Sequence, residues 1–294
     1  SILSFTNQVA GAEGLLVRAS NFTIEDLAIE DAKGDALKVN EGDNIVIRRV
    51  RTEWMDGPKT ENGAYGIYPV QTTNVLVEES VAIGASDAGI YVGQSKNVVV
   101  RNNRAELNVA GIEIENTIDA DVYGNVATNN TGGILVFNMP ELVQAGSRTR
   151  VFKNEVIANN TPNFGHAGTA VAGVPAGTGV IVNANDAVEI FENNIIDNKT
   201  GGVVISSLFG SGYSPKTTSE TYDPYPESIY IYGNTFTGGG AEPSTPELQA
   251  LKMAVAGADG RLPDIVWDGF LDEAKMVNGK MPDALRICVD NGDA

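Results

Sequence analysis

Two glutamates, Glu113 and Glu115, flank Ile114 in the run Gly111-Ile112-Glu113-Ile114-Glu115. On a β-strand both carboxylates point the same way, about 6.6–6.8 Å apart, a separation that suits the acid and base of an inverting glycosidase. Asp87, at the turn entering Gly89-Ile90-Tyr91-Val92, is a third candidate carboxylate. Lys38, Tyr68 and Tyr91 suggest a different chemistry. Uronate elimination or epimerisation needs a base for the proton α to a carboxylate and a cation for the charge that develops, and Arg48 and Arg101 are further cations for that role. The single histidine, His166, sits in Asn163-Phe164-Gly165-His166-Ala167-Gly168, where an imidazole overhanging the groove could serve as an acid or base. Each residue also has a plain structural account. Alternating charge is what a solvated strand face carries, Asp87 can cap its turn, and a lone loop histidine is commonly exposed.

What must position these residues is a repeat. One strand pattern, glycine-apolar-x-apolar, recurs at Gly66-Ile67-Tyr68-Pro69, Gly89-Ile90-Tyr91-Val92, Gly111-Ile112-Glu113-Ile114, Gly133-Ile134-Leu135-Val136, Gly179-Val180-Ile181-Val182 and Gly202-Val203-Val204-Ile205, with an earlier copy at Ala36-Leu37-Lys38-Val39. A second pattern has core residues at Ile24, Ile47, Val77, Val100, Val122, Val151, Ile190 and Ile231. The step from first to second is 10 residues for Leu37 to Ile47, Ile67 to Val77, Ile90 to Val100, Ile112 to Val122 and Val180 to Ile190, and the return step is 12 or 13. A fixed period of 22–23 residues with strand alternation marks a solenoid. Asn103, Asn125, Asn154, Asn193 and Asn234 each follow a second-pattern core residue by three, so their amides are expected to stack as a ladder at one turn, which a left-handed backbone at asparagine would suit.

The expected fold is therefore all-β, a right-handed parallel β-helix over residues 1–240. A C-terminal segment, 241–294, is expected to pack on it with a short α-helix opening at Ser244-Thr245-Pro246-Glu247 and strands near 265–267 and 285–287. Period-two alternation points Lys38, Tyr68, Tyr91, Glu113, Leu135, Ile181 and Val204 outward on one sheet, with Asn40, Val70, Gly93, Glu115, Phe137, Asn183 and Ser206 beside them. Extra residues near 53–63 and 160–177 leave one edge of that sheet, and others near 138–147 and 207–227 leave the opposite edge, so the face becomes a walled floor. Tyrosines beside carboxylates suit a sugar ring, and Asn40, Asp87, Phe137 and His166 are candidate binding residues there. The apolar half of the floor needs a cover, from 207–227 or the C-terminal segment, or else a protein partner.

The glycine-apolar and asparagine pattern, over about residues 14–237, resembles the bacterial right-handed β-helix proteins, a group that includes pectate lyases, polygalacturonases, mannuronan epimerases and NosD-type proteins. The resemblance implies a β-helix fold and favours action on a polysaccharide or oligosaccharide in the groove, by cleavage, elimination or epimerisation. It also admits a non-catalytic accessory protein that docks a glycan or a protein. The departures are specific. Where mannuronan epimerases show Asp-Pro-His-Asp, this chain has Asp223-Pro224-Tyr225-Pro226, and the Gly-His-Gly of polygalacturonases and the stacked aspartates with arginine of calcium-dependent pectate lyases do not occur as sets.

A net charge of -18 argues against nucleic acid and anionic membranes, and against a polyanion unless a cation intervenes. Calcium is a possible cofactor: Asp119-Ala120-Asp121 and Glu41-Gly42-Asp43 are acidic turns, although neither has the ligand spacing of a calcium loop. No stretch is apolar enough to span a bilayer, and the resemblance implies a periplasmic or secreted setting. The chain enters almost directly into strand material at Ile2-Leu3-Ser4-Phe5, which suggests preceding residues. Cys288, the one cysteine, is expected to be buried in Arg286-Ile287-Cys288-Val289. Asn21, Asn129, Asn159 and Asn198 stand in Asn-x-Thr sequons, which turn chemistry explains as well as glycosylation does.

Overall fold

In the computed structural model, residues 1–292 are described, and they form a right-handed parallel β-solenoid of about eight turns. The first pattern becomes the strands Ala88–Gly93, Ala110–Glu115, Gly132–Phe137, Thr178–Asn183 and Gly201–Ser206, with the longer Leu37–Glu53 and Tyr65–Glu78 running on into the second. All pair in parallel, in the register expected from the repeat: Lys38 on Tyr68, Tyr91 on Glu113, Glu113 on Leu135, Leu135 on Ile181 and Ile181 on Val204. Inside, Leu37, Ile67, Ile90, Ile112, Ile134, Val180 and Val203 stack as one column with no exposure.

Each rung also carries a third strand, which the two-strand count passed over. Val81–Ile83, Arg104–Glu106, Val126–Thr128, Glu155–Ile157 and Asn194–Ile196 form this sheet, and Ala82, Ala105, Ala127, Val156 and Ile195 close the core from that side. Its sequence signal is a small or β-branched residue five positions after the second-pattern core residue, with Phe236 in that place on the last rung.

The asparagine ladder is present and fully engaged. Asn154 shows the unit: its Oδ1 accepts from the Asn125 backbone N–H and Nδ2, both at 3.0 Å, while its Nδ2 donates to Val122 O and Asn193 Oδ1, both at 2.9 Å. The left-handed residue is not the asparagine but the one before it, with φ of 54–65° at Asn102, Gly124, Lys153, Glu192 and Gly233. A second ladder, Asn108, Asn130, Asn159 and Asn198, runs up another corner by the same bonds. This ladder gives the recurring glycine its reason, because a Cβ at Gly89 would lie 2.5 Å from the Asn108 amide nitrogen. Two of the four sequon asparagines, Asn159 and Asn198, are thus buried ladder members.

The C-terminal segment extends the solenoid. Thr245 caps the helix Pro246–Ala256 through Oγ1, 3.4 Å from Leu248 N, and Ile265–Trp267 adds in parallel to Val203–Ile205. The final strand is Ile287–Asp290 rather than 285–287, and it adds to Ile229–Tyr232. That register pairs Cys288 with Tyr230 on the outward side, so the thiol is exposed and the expected burial fails. No helix is long and apolar enough to cross a membrane among the described residues.

Candidate active site

On the first-strand floor the structure gathers carboxyls and tyrosines around Asp87, Glu113 and Glu115. The strands Ala88–Gly93 and Ala110–Glu115 are neighbours, so Tyr91 lies in register with Glu113, and Gly93 with Glu115. The Tyr91 ring folds across Gly93 and donates from its hydroxyl to Glu115 at 2.5 Å. A Cβ at position 93 would meet that hydroxyl at 2.2 Å, so only glycine leaves room for the bond. Asp87, just before its strand, faces the Glu113 carboxyl and the Tyr65 hydroxyl.

These carboxyls are held protonated well above the ordinary range. Burial pushes Asp87 up to about 8, and the Glu115 charge adds to it. Burial, then the charges of Asp87 and Glu115, raise Glu113 as well. Glu115 rises to about 7, again chiefly by burial, with the Tyr91 hydroxyl acting the other way. Glu113 is 1% exposed, with Oε2 lacking any hydrogen-bond partner, and Asp87 is 8% exposed. Two buried carboxyls side by side cannot both ionise cheaply, so their proximity adds to burial in favouring the protonated form.

Tyr65, Tyr68 and Tyr91 form a ring cluster with centroids 4.4–4.9 Å apart. At its far side Lys38 lies 4.7 Å above the Tyr68 ring and 3.5 Å from Asp35. Lys38 therefore has a carboxylate partner of its own and stands three rungs, roughly 14 Å, from Glu113. Arg48 and Arg101 are not near this floor, since both clamp Glu78 on the second-strand face. Asn40 shares the outward side of Glu115's column, partly buried, and pairs in register with Val70. His166 is exposed, and only its carbonyl is engaged, by Thr169; the residues of its loop that reach the floor are Phe164, Val171 and Val174.

The cover over the apolar half differs from expectation. Loop 160–177, with Met139 and Leu142, does most of the work, leaving Leu135 with no exposure and Phe137 with 5%. Loop 207–227 contributes Tyr213, whose hydroxyl donates to Glu141 at 2.8 Å. A cleft of about 690 Å³ nevertheless remains between Val174 and Pro175 on one wall, Phe209 to Tyr213 on the other, and Leu248, Leu251 and Trp267 at the end. Phe137 and Met139 line its inner end, and Phe137 pairs in register with Glu115 on the next rung. The acidic cluster thus lies one rung from the apolar cleft on the same floor, with Phe137 and Met139 packed between them.

Asp35, Tyr65, Glu141 and Tyr213 are site residues the sequence reading did not find. Strict alternation assigns Tyr65 to the inner set with Ile67, but the corner turns that position onto the floor, as it does Ala88 and Ala110. Glu141 and Tyr213 lie on insertions with no register to read. Of the acidic turns, Asp119 and Asp121 bind Arg148 and Arg150, and Asp43 accepts from Asn74. Elsewhere, Asp186, Asp223 and Glu227 bring carboxylate oxygens within 4.8 Å of one another, with Lys275 bound to Asp223 and, at 2.8 Å, to Glu227.

A family profile described as the right handed beta helix region matches residues 4–145 and 59–236. No curated protein matches the sequence. Among solved structures, the periplasmic alginate epimerase AlgG is similar at 19% identity and TM-score 0.55, covering 74% of this chain and 46% of the epimerase. The A-module of the mannuronan C-5 epimerase AlgE6 from Azotobacter vinelandii is similar at 20% identity and TM-score 0.48, over 75% of this chain and 62% of that one. The DFA-IIIase from Arthrobacter chlorophenolicus A6 is similar at 10% identity and TM-score 0.46, over 83% and 54%. The chain thus spans about half the length of AlgG, and at these identities the likeness is one of fold.

Proposed function

This chain belongs to the right-handed β-helix family, and we propose that within it the protein cleaves a glycosidic bond in the trough on its first-strand floor. The observation that carries the reading is the convergence of Asp87, Glu113 and Glu115, whose burial favours the protonated carboxyl, one rung from an aromatic-lined cleft on the same floor. A protonated carboxyl of the Asp87–Glu113 pair gives its proton to the glycosidic oxygen as the C–O bond breaks. Glu115 takes a proton from the water that attacks the anomeric carbon, and exchange with solvent resets both groups. Elimination or epimerisation is less well served, because Lys38 is already paired with Asp35 and both arginines face another sheet. AlgG, a periplasmic alginate epimerase of the same fold, is consistent with a carbohydrate substrate and supports an extracytoplasmic location here.

One observation favours a second reading, a non-catalytic protein that docks a glycan or a protein partner: Tyr91 and Glu113 are 4% and 1% exposed, so a substrate reaches them only if the trough opens. Incubation with a panel of oligosaccharides, following new reducing ends and shortened chains by mass spectrometry, separates the two. Hydrolysis that falls about 10²–10⁴-fold in Glu113→Gln and in Asp87→Asn supports the enzyme. Tyr91→Phe is expected to lose less, since it removes only the hydroxyl that orients Glu115. Turnover unaffected by Glu113→Gln, or products carrying the ultraviolet absorbance of an unsaturated uronate, would refute the hydrolytic assignment.

A further inference from the structure

We infer that the carbohydrate this trough accepts is uncharged, and that polyuronates are excluded from it; the inference rests on the proposed function and names the substrate class of that same site. Its basis is the charge inventory of the floor and walls. From Lys38 and Asn40 onward, Lys38 is the one cationic side chain on the two outward columns of the first-strand sheet among the described residues, with Asp35 3.5 Å away, while the exposed Arg18 stands on the preceding rung, four rungs from Glu115. No lysine, arginine or histidine lines the cleft among the described residues, whereas Glu247 and Asp268 do. On neighbouring sheets Arg48 and Arg101 pair with Glu78, Arg148 with Asp119, and Arg150 with Asp121.

A polyuronate brings one carboxylate per sugar, a spacing close to the ~4.8 Å step between rungs. Each would lie beside Glu115, Glu141 or the Asp87–Glu113 pair, or on an apolar wall with nothing to pair it. Burying an unpaired charge is costly, and beside these carboxyls and apolar walls a uronate finds no cation to offset that cost. A neutral sugar meets the opposite situation. Its C–H face packs on Trp267, Tyr213 and Phe137, and its hydroxyls find a polar edge at Asn183 and Ser206, which hydrogen-bond to each other at 3.0 Å.

Tryptophan fluorescence reads this directly, since Trp267 is 37% exposed at the cleft while Trp54 is 5% exposed in the core and serves as an internal reference. Matched oligosaccharides of equal length would be titrated into the full chain: mannan against mannuronan and galactan against galacturonan, with glucan and xylan besides, each with calcium and with a chelator. The expected result is a shift in emission with at least one neutral series, lost in Trp267→Phe, and binding at least 100-fold weaker for its uronate counterpart. An unchanged near-ultraviolet circular dichroism spectrum of the variant, outside the tryptophan bands, shows that the cleft is still folded. Uronate binding equal to or tighter than neutral binding, with or without calcium, overturns the inference and leaves the carbohydrate reading standing. Binding of neither series overturns both.

Discussion

Replacing Asp87 with asparagine should make the protein more stable as the pH rises, and the size of the effect follows from the burial of this carboxyl. In the unfolded chain Asp87 titrates at its ordinary 3.8, whereas in the fold burial and the Glu115 charge push it up to about 8. A group whose folded pKa is raised contributes stability that is complete below the unfolded value and is lost as the pH climbs to the folded one. Here that window runs from about pH 4 to about pH 8. A gap of about four pH units at ~1.4 kcal/mol each is on the order of 6 kcal/mol. This is an upper bound, because part of it is repulsion shared with Glu113 and Glu115. Asparagine keeps the shape of the side chain and never ionises. Urea unfolding followed by far-ultraviolet circular dichroism, in half-unit steps from pH 4 to 8, should show wild type and Asp87→Asn within about 1 kcal/mol of each other at pH 4. At pH 8 the variant should be more stable by roughly 2–6 kcal/mol while inactive on any glycan the wild type cleaves. A stability difference that stays constant across the window would mean that Asp87 is not a buried, proton-holding carboxyl, and the proton-donor role assigned to it would fall with that result.

Two further perturbations test the frame that holds the site. Asn154→Ala removes four ladder bonds and leaves the Val122 carbonyl and the Asn125 N–H buried without partners. It should cost roughly 3–5 kcal/mol, with hydrogen exchange accelerated at the Asn125 and Asn193 turns before the ends of the solenoid; uniform exchange along the chain would contradict a local ladder. Lys275→Met strips the counter-ion from Asp223 and from the buried Glu227, next to an Asp186 that burial and those two charges raise to about 7. Breaking this half-buried pair should cost about 1–3 kcal/mol, less than a fully buried one, so loop 207–227 should become sensitive to limited proteolysis, more at pH 8 than at pH 5, where protonation relieves the uncompensated charge. Equal cleavage at the two pH values would count against an electrostatic latch.

The β-helix, its register and the alternating side chains of the floor were legible in the amino-acid sequence. Periodic spacing fixes these because a strand has only two faces and each rung repeats the same turn: Tyr91 falls on Glu113, and Glu115 on Phe137, from arithmetic alone. The same arithmetic brought Glu113, Glu115 and Asp87 into one neighbourhood. It did not reach the third sheet, whose strands are three residues long and often built on alanine, too short and too weakly apolar to stand out. Nor did it reach whatever departs from the period. Tyr65 emerges at a corner where alternation fails, and Glu141 and Tyr213 arrive on loops whose path depends on what they pack against. Tertiary structure alone decided that Lys38 is tied to Asp35, that Cys288 faces outward at the last rung, and that loop 160–177 covers the apolar floor. The ionisation of the acidic cluster belongs to that second class as well. A carboxyl's pKa depends on how much water and how many charges remain around it, and both are set by side chains and loops that the repeat does not place.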